Sequence, residues 1–151
     1  MEILYFLTLL FSHLASPLPP PENHSSKTGE VNELAIKEAE KIIGIPFQEK
    51  PSKLYFYSSK PNEIGGFRAF LKAVIPEKEF KRIVSDLGLK PRPGISWSFS
   101  PPESESWWDT TDRDQALFYD SGLGGEDPTY YVHYRNGAMY FYKHFQNYSQ
   151  Y

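Results

Sequence analysis

The feature of this sequence that most constrains its fold is the pair Asn136-Gly137, which lies between stretches of alternating side chains at 129–135 and 138–145. Asparagine and glycine both tolerate positive φ angles, which a two-residue type I′ turn requires at its two central positions. Such a turn joins two antiparallel strands and fixes which side chains lie opposite each other. The sequence therefore predicts an antiparallel β-hairpin over 129–145.

This hairpin has one face that we expect to be core and one that is rich in tyrosine. On the first face Tyr134 lies opposite Met139, and Val132 lies opposite Phe141. On the second face the cross-strand pairs are Tyr131 with Tyr142 and His133 with Tyr140. A tyrosine-rich face suits a binding platform, because tyrosine offers a large and rigid contact area. It equally suits burial beneath the tryptophan-bearing loop that precedes it. The candidate partner-binding residues on this face are Tyr131, Tyr140 and Tyr142.

A strand, a tight turn and a helix are predicted over 67–87. Side chains alternate from 67 to 75, and Arg68 and Lys72 share a face that we expect to be half solvated. Pro76 suits the first position of a helix, where its missing N–H costs nothing. Gly88 should end this helix, whose predicted buried stripe is Phe80, Ile83, Val84 and Leu87.

The remaining elements complete a small α+β fold. They are a helix over 31–43 that ends at Gly44, a strand over 54–57 and a strand within 115–120. We therefore predict one α+β domain over 29–151, with an antiparallel sheet of four to five strands and two helices on one face.

The stretch 90–111 is rich in proline and tryptophan, and beyond a short strand at 95–99 we expect no regular structure in it. Its tryptophans indicate an ordered loop, because disordered segments are poor in aromatic residues. Trp107, Trp108 and Asp109 form the first candidate partner-binding site. Adjacent side chains point in different directions, so we expect one tryptophan to pack inward and the other to face outward. An outward tryptophan suits a protein or sugar partner, whereas an inward one caps the sheet.

Acidic residues around the tryptophan pair form another candidate site. They are Glu103, Glu105, Asp109, Asp112, Asp114 and Asp120. A glycosidase needs two carboxylates about 5 to 9.5 Å apart, so an enzyme acting on envelope glycans is the alternative function. The simpler interpretation is that these are solvated loop acids. Their spacing lacks the glycine and terminal glutamate of a calcium loop, and we predict no metal site.

Composition excludes several classes of function. The chain has no cysteine, which rules out disulfides, thiol nucleophiles and Cys-ligated metals. Acidic residues outnumber basic ones by 19 to 16, so no charge surplus favours nucleic acid as a partner. No hydrolase, zinc-peptidase or phosphate-loop motif occurs in the sequence. We therefore predict no catalytic residue, no cofactor and no nucleic-acid partner.

Residues 1–16 resemble a secretory signal peptide. The mostly apolar run from Ile3 to Leu14 fits the length of a signal core and is shorter than a membrane span. Glu2 stands where a basic residue is usual, so an uncleaved anchor or a buried element of the fold are the alternatives. Residues 17–28 are proline-rich and polar, as a solvated linker would be. We expect an exported protein of the periplasm, envelope or exterior, with membrane contact only through its N-terminal segment.

Three stretches resemble small uncharacterised bacterial exported or envelope-associated proteins. They are IPEKEFKRIVSDLGL at 75–89, the pair Trp107-Trp108, and YYVHYRNGAMYFY at 130–142. The resemblance implies no particular activity, and the missing cysteine departs from the lipoprotein-like members. These observations together predict a non-enzymatic exported binding module whose partner is a protein or a glycan. An inhibitor or immunity-like role towards another protein is its most specific form.

Overall fold

The structure is a computed structural model, and it describes residues 24–59, 66–94, 99–102, 106–109, 116–121 and 129–145. In chain order its elements are β1 (His24–Gly29), α1 (Glu33–Ile43), β2 (Lys53–Ser58), β3 (Phe67–Val74), α2 (Glu77–Asp86), β4 (Lys90–Arg92), β5 (Phe118–Asp120), β6 (Thr129–Arg135) and β7 (Ala138–Phe145). The predicted signal segment 1–16, the start of the predicted linker and residues 95–98 of a predicted strand lie outside the described residues.

The seven strands in the described residues form one antiparallel sheet, in the order β1-β2-β3-β7-β6-β5-β4. This confirms the predicted α+β class, but four to five strands was an undercount. The strands beyond that prediction include the two edges, β1 and β4. Strand β1 takes residues 24–28 from the predicted linker, and β4 takes 90–92 from the predicted loop. Both are polar and lack alternating apolar residues, so pairing with a neighbour specifies them rather than their own pattern.

Helix α1 is capped at both ends. The Asn32 side chain accepts a hydrogen bond from the backbone N–H of Ala35 at 2.8 Å, which makes Glu33 the first helical residue. The predicted start at 31 was therefore slightly early. At the other end Gly44 has a φ of 92°, and its N–H donates to the Glu40 carbonyl at 2.7 Å. This left-handed cap confirms the predicted end of the helix.

Helix α2 begins at Glu77, because Pro76 is extended (φ −61°, ψ 148°) and stands before the helix rather than inside it. The predicted stop near Gly88 is confirmed by the φ of 64° at that residue. The buried stripe is also confirmed at Phe80, Ile83 and Val84. Neither helix in the described ranges is long and apolar enough to cross a membrane.

Both helices contribute to one core on the same side of the sheet. Ile43 of α1 and Ile83 of α2 have no exposed surface, and they belong to one cluster with Leu54, Leu71 and Phe141 of the central strands. Burying a side chain of this size stabilises a fold by about 1.5–3 kcal/mol. Most of this core is aliphatic.

The hairpin of β6 and β7 has the predicted turn and register. Asn136 has a φ of 50° and Gly137 a φ of 76°, as a type I′ turn requires. The observed pairs are those predicted: Tyr131 with Tyr142, Val132 with Phe141, His133 with Tyr140 and Tyr134 with Met139. Strand β3 pairs with the other edge of β7, which places β7 at the centre of the sheet. Both faces of β7 are buried, with Met139 and Phe141 on one face and Tyr140 and Tyr142 on the other.

Candidate functional site

The face of the sheet opposite the helices is built of aromatic rings, and we call it the aromatic face. It consists of Tyr55 and Tyr57 on β2, Phe70 on β3, Tyr131 on β6, and Tyr140 and Tyr142 on β7. Strand register brings rings of neighbouring strands together, as between Phe70 and Tyr142, whose centroids are 4.8 Å apart. Phe70 is only 4% exposed, so the prediction that this face of β3 is half solvated is wrong there.

The aromatic face is covered by the described residues of the tryptophan-bearing loop. We call the described parts of this loop, 99–102 and 106–109, the strap. The Phe99 ring stacks on Tyr142 with centroids 4.3 Å apart and planes 13° apart. The Trp107 ring stacks on Tyr55 with centroids 5.8 Å apart and planes 19° apart. The strap and the aromatic face thus form a second core on the far side of the sheet.

The two tryptophans of the strap differ in burial, as the sequence predicts. Trp107 is 8% exposed, whereas Trp108 is only partly buried. The Trp108 ring packs edge-on against two rings of the aromatic face. Its centroid is 5.4 Å from that of Phe70 and 5.3 Å from that of Tyr140. Its Nε1–H donates a hydrogen bond to the carbonyl of Phe99 at 3.0 Å. Trp107 is therefore a core residue, and Trp108 is the tryptophan that reaches the surface.

Lys72 on β3 joins the sheet to the strap. Its Nζ donates a hydrogen bond to the Trp107 carbonyl at 3.1 Å, and it lies 5.2 Å from the ring centroid of Tyr140. An ammonium group over a ring face is attracted by the negative charge of that face. Sequence reasoning placed Lys72 in solvent and missed this role. The available signal was its spacing of two from Phe70, which puts both side chains on one face of the strand.

The three tyrosines predicted to bind a partner lie against the strap. Tyr140 and Tyr142 are each 5% exposed, and Tyr131 is partly buried. Burial raises the pKa of Tyr142. The pKa of Tyr131 is raised first by burial and then by the negative charge of Asp120. These tyrosines support the strap, which is one of the two interpretations that the sequence leaves open. Their binding role stays a prediction.

His133 is packed between rings on the same side of the sheet. Its imidazole lies parallel to Tyr140, with centroids 4.8 Å and planes 2° apart. Phe118 approaches it from the neighbouring strand, also at 4.8 Å. The histidine is 9% exposed. This geometry is that of a ring that packs the sheet.

Asp120 differs from the solvated loop acid that we expected. It lies in β5 with 1% of its surface exposed, and its Oδ1 accepts a hydrogen bond from Arg92 Nε at 2.9 Å. The reason is the pairing of β4 with β5, which brings the guanidinium of the edge strand to the carboxylate. Asp109 is exposed, as expected. The other acids of the candidate group, Glu103, Glu105, Asp112 and Asp114, lie outside the described residues.

Neither metal ligands nor relatives point to a known activity. In the part of the chain that the structure describes, no three or more His, Asp or Glu side chains are grouped to hold a metal ion. Comparison of the chain with protein-family models, curated proteins and solved structures found no match. Function is therefore inferred from the strap and the aromatic face.

Proposed function

We propose that this chain is an exported, non-catalytic binding module that captures a protein partner at Trp108. The observation that carries the proposal is that Trp108 is held by its neighbours and still has an exposed part. Phe70 and Tyr140 hold the ring, and the Phe99 carbonyl holds its N–H. The residue nevertheless stays partly exposed, and the neighbouring Asp109 is exposed.

A tryptophan held in this way is suited to protein recognition. Tryptophan is enriched among the few residues that dominate the binding energy of interfaces. Ordering a mobile side chain on binding costs about 0.5–1.5 kcal/mol, and a ring that is already fixed avoids most of that cost. Trp108 therefore supplies an apolar anchor that is already fixed before a partner binds.

A glycan-acting enzyme has less support. Catalysis by two acids requires both carboxylates to face one cleft. Asp120 is buried and ion-paired with Arg92, so it is poorly placed to meet a sugar.

Export is supported by the apolar segment 1–16. An inhibitor or immunity-like role towards another protein is the specific form of the proposal.

The proposal is tested by photo-crosslinking in the cells that normally produce the protein. A photoreactive amino acid replaces Asp109 in the full chain, and a matched variant carries it at Lys81, which is exposed on α2. We expect a discrete crosslinked protein from position 109 and none from position 81. Equal crosslinking from both positions, or none from 109, would contradict a protein-binding surface at the strap.

The two tryptophans provide a second arm of the test. Trp108→Ala should reduce crosslinking from position 109 by about tenfold or more, which corresponds to about 1.4 kcal/mol of binding energy. In urea unfolding followed by tryptophan fluorescence, which reports on the strap, Trp107→Ala should cost about 3–5 kcal/mol, because it removes a buried ring. Trp108→Ala should cost clearly less. Equal losses of stability would mean that Trp108 is core and that the assigned surface is wrong.

A further inference from the structure

Lys72 places a positive charge among the rings of the aromatic face. Its Nζ lies 5.8 Å from the Tyr55 centroid and 5.2 Å from the Tyr140 centroid. The Trp107 carbonyl accepts its hydrogen bond at 3.1 Å. None of the ion pairs found within the described ranges involves Lys72. The ammonium is therefore satisfied by two ring faces and a carbonyl of the strap.

The strap therefore supplies the hydrogen-bond acceptor for the Lys72 ammonium. A partly buried ammonium without a hydrogen-bond acceptor is costly, so the charge favours the state in which the Trp107 carbonyl lies over it. The stacks of Trp107 on Tyr55 and Phe99 on Tyr142 favour the same state, but stacking between rings tolerates sliding and tilting. A hydrogen bond at a fixed carbonyl sets the register of the strap on the sheet.

We propose that Lys72 is the positioning residue that fixes the strap, and with it Trp108, on the aromatic face. The consequence for partner binding rests on the function proposed above, whereas the consequence for the strap does not. The alternative is that ring stacking alone holds the strap. The two differ in what happens when the charge is removed but the length of the side chain is kept.

The test compares Lys72→Met with Lys72→Arg and with Lys53→Met. Lys53 is a matched control, because its position in β2 puts it on the same face of the sheet and it is exposed. The measurement is hydrogen exchange by NMR, followed at the Trp108 indole N–H, which the Phe99 carbonyl holds. We expect Lys72→Met to speed this exchange by roughly ten- to a hundredfold, the effect of losing one charged hydrogen bond. Lys72→Arg should restore most of the protection.

Amides of β6 and β7 serve as the internal reference. They should exchange at unchanged rates in all three variants, because their ladder does not depend on the strap. Indole exchange in Lys72→Met within twofold of the parent chain would overturn the proposal. Acceleration of the β6 and β7 amides by the same factor would also overturn it, since Lys72 would then stabilise the whole domain rather than position the strap.

Crosslinking from position 109 separates this inference from the proposed function. If Lys72→Met frees the indole and crosslinking falls, both are supported. If the indole is freed and crosslinking is unchanged, Lys72 still positions the strap, but the partner does not bind a fixed Trp108 and the proposed function fails in that form. If the indole stays protected, the role of Lys72 is refuted whatever the crosslinking shows.

Discussion

Gly29 closes strand β1 in a left-handed conformation, with a φ of 72°. A Cβ atom on this residue would lie 2.5 Å from the Tyr55 hydroxyl oxygen and 2.6 Å from Cζ of the same ring. The ring is not free to move away, because it stacks on Trp107 and lies beneath the ammonium of Lys72. Gly29 is thus needed both for its backbone angle and for the space that it leaves to the aromatic face.

Gly29→Ala and Gly94→Ala should therefore differ in cost. Gly94 also has a positive φ, of 75°, but a Cβ there would have no neighbour within 4 Å. Both substitutions carry the cost of a left-handed conformation, about 1–2 kcal/mol. Gly29→Ala should add about 1–3 kcal/mol for the overpacked ring. Urea unfolding of the two variants measures the difference, and equal losses would show that the ring of Tyr55 moves without cost.

At the scale of elements, a buried carboxylate attaches helix α2 to the segment between α1 and β2. Glu79 is 3% exposed and accepts hydrogen bonds from Arg82 at 2.7 and 3.0 Å and from the backbone N–H of Gln48 at 2.9 Å. Arg82 also donates to the carbonyl of Pro46 at 2.9 Å. The hydrogen bonds from Arg82, ahead of those from the backbone, hold the pKa of Glu79 below its usual range.

The hydrogen bonds to Glu79 predict how the free energy of unfolding depends on pH. A carboxylate with a lowered pKa in the folded state stabilises the fold above its unfolded pKa of about 4.3, and that stability is lost as the pH falls through the folded value. Glu79→Gln should lower the free energy of unfolding at neutral pH by about 1–3 kcal/mol and flatten its decline below about pH 4.3.

Glu77→Gln is the control for this prediction, because Glu77 is an exposed helix residue paired with Lys81 at 2.8 Å. An exposed pair of this kind contributes about 0–1 kcal/mol, so this variant should keep most of the acid-dependent decline. Urea midpoints measured from about pH 3 to neutrality give both profiles. A Glu79→Gln profile parallel to that of the parent chain would contradict this role of the Glu79 carboxylate.

The elements that sequence predicts well are those with local signals. The register of the hairpin follows from Asn136-Gly137, and the ends of α1 follow from Asn32 and Gly44. Strand β1 has no such signal, because its polar residues pair with β2 through their backbone. A linker and an edge strand of this composition cannot be told apart without the partner strand.

At the scale of the whole molecule, the sheet has two cores; the sequence predicts the first and leaves the second as one of two interpretations of the tyrosine-rich face. The helix-side core follows from helical and strand periodicity. The strap-side core depends on contacts distant in sequence, such as Trp107 with Tyr55 and Phe99 with Tyr142. The composition indicated that aromatic residues matter, since they make up 17% of the chain. It did not show that Trp107 is buried or that Lys72 joins the strap to the sheet.

The two cores should open separately. Strands β3, β6 and β7 are joined by continuous ladders, whereas the strap is held by rings and a few hydrogen bonds, so it belongs to the less stable part of the fold. All three tryptophans lie between 97 and 108, so their fluorescence reports on this loop. In urea, the red shift of tryptophan emission should precede the loss of helical circular dichroism.

Lys72→Met should widen the gap between these transitions by moving the fluorescence midpoint alone, because it weakens the strap and leaves the helix-side core intact. The same measurement on Glu79→Gln should move both midpoints, because that substitution weakens the attachment of α2 in the helix-side core, on which the strap also depends. Superimposable transitions in the parent chain and in Lys72→Met would mean that strap and sheet unfold as one unit. Trp108 would then be fixed by the global fold rather than by a strap that can be released.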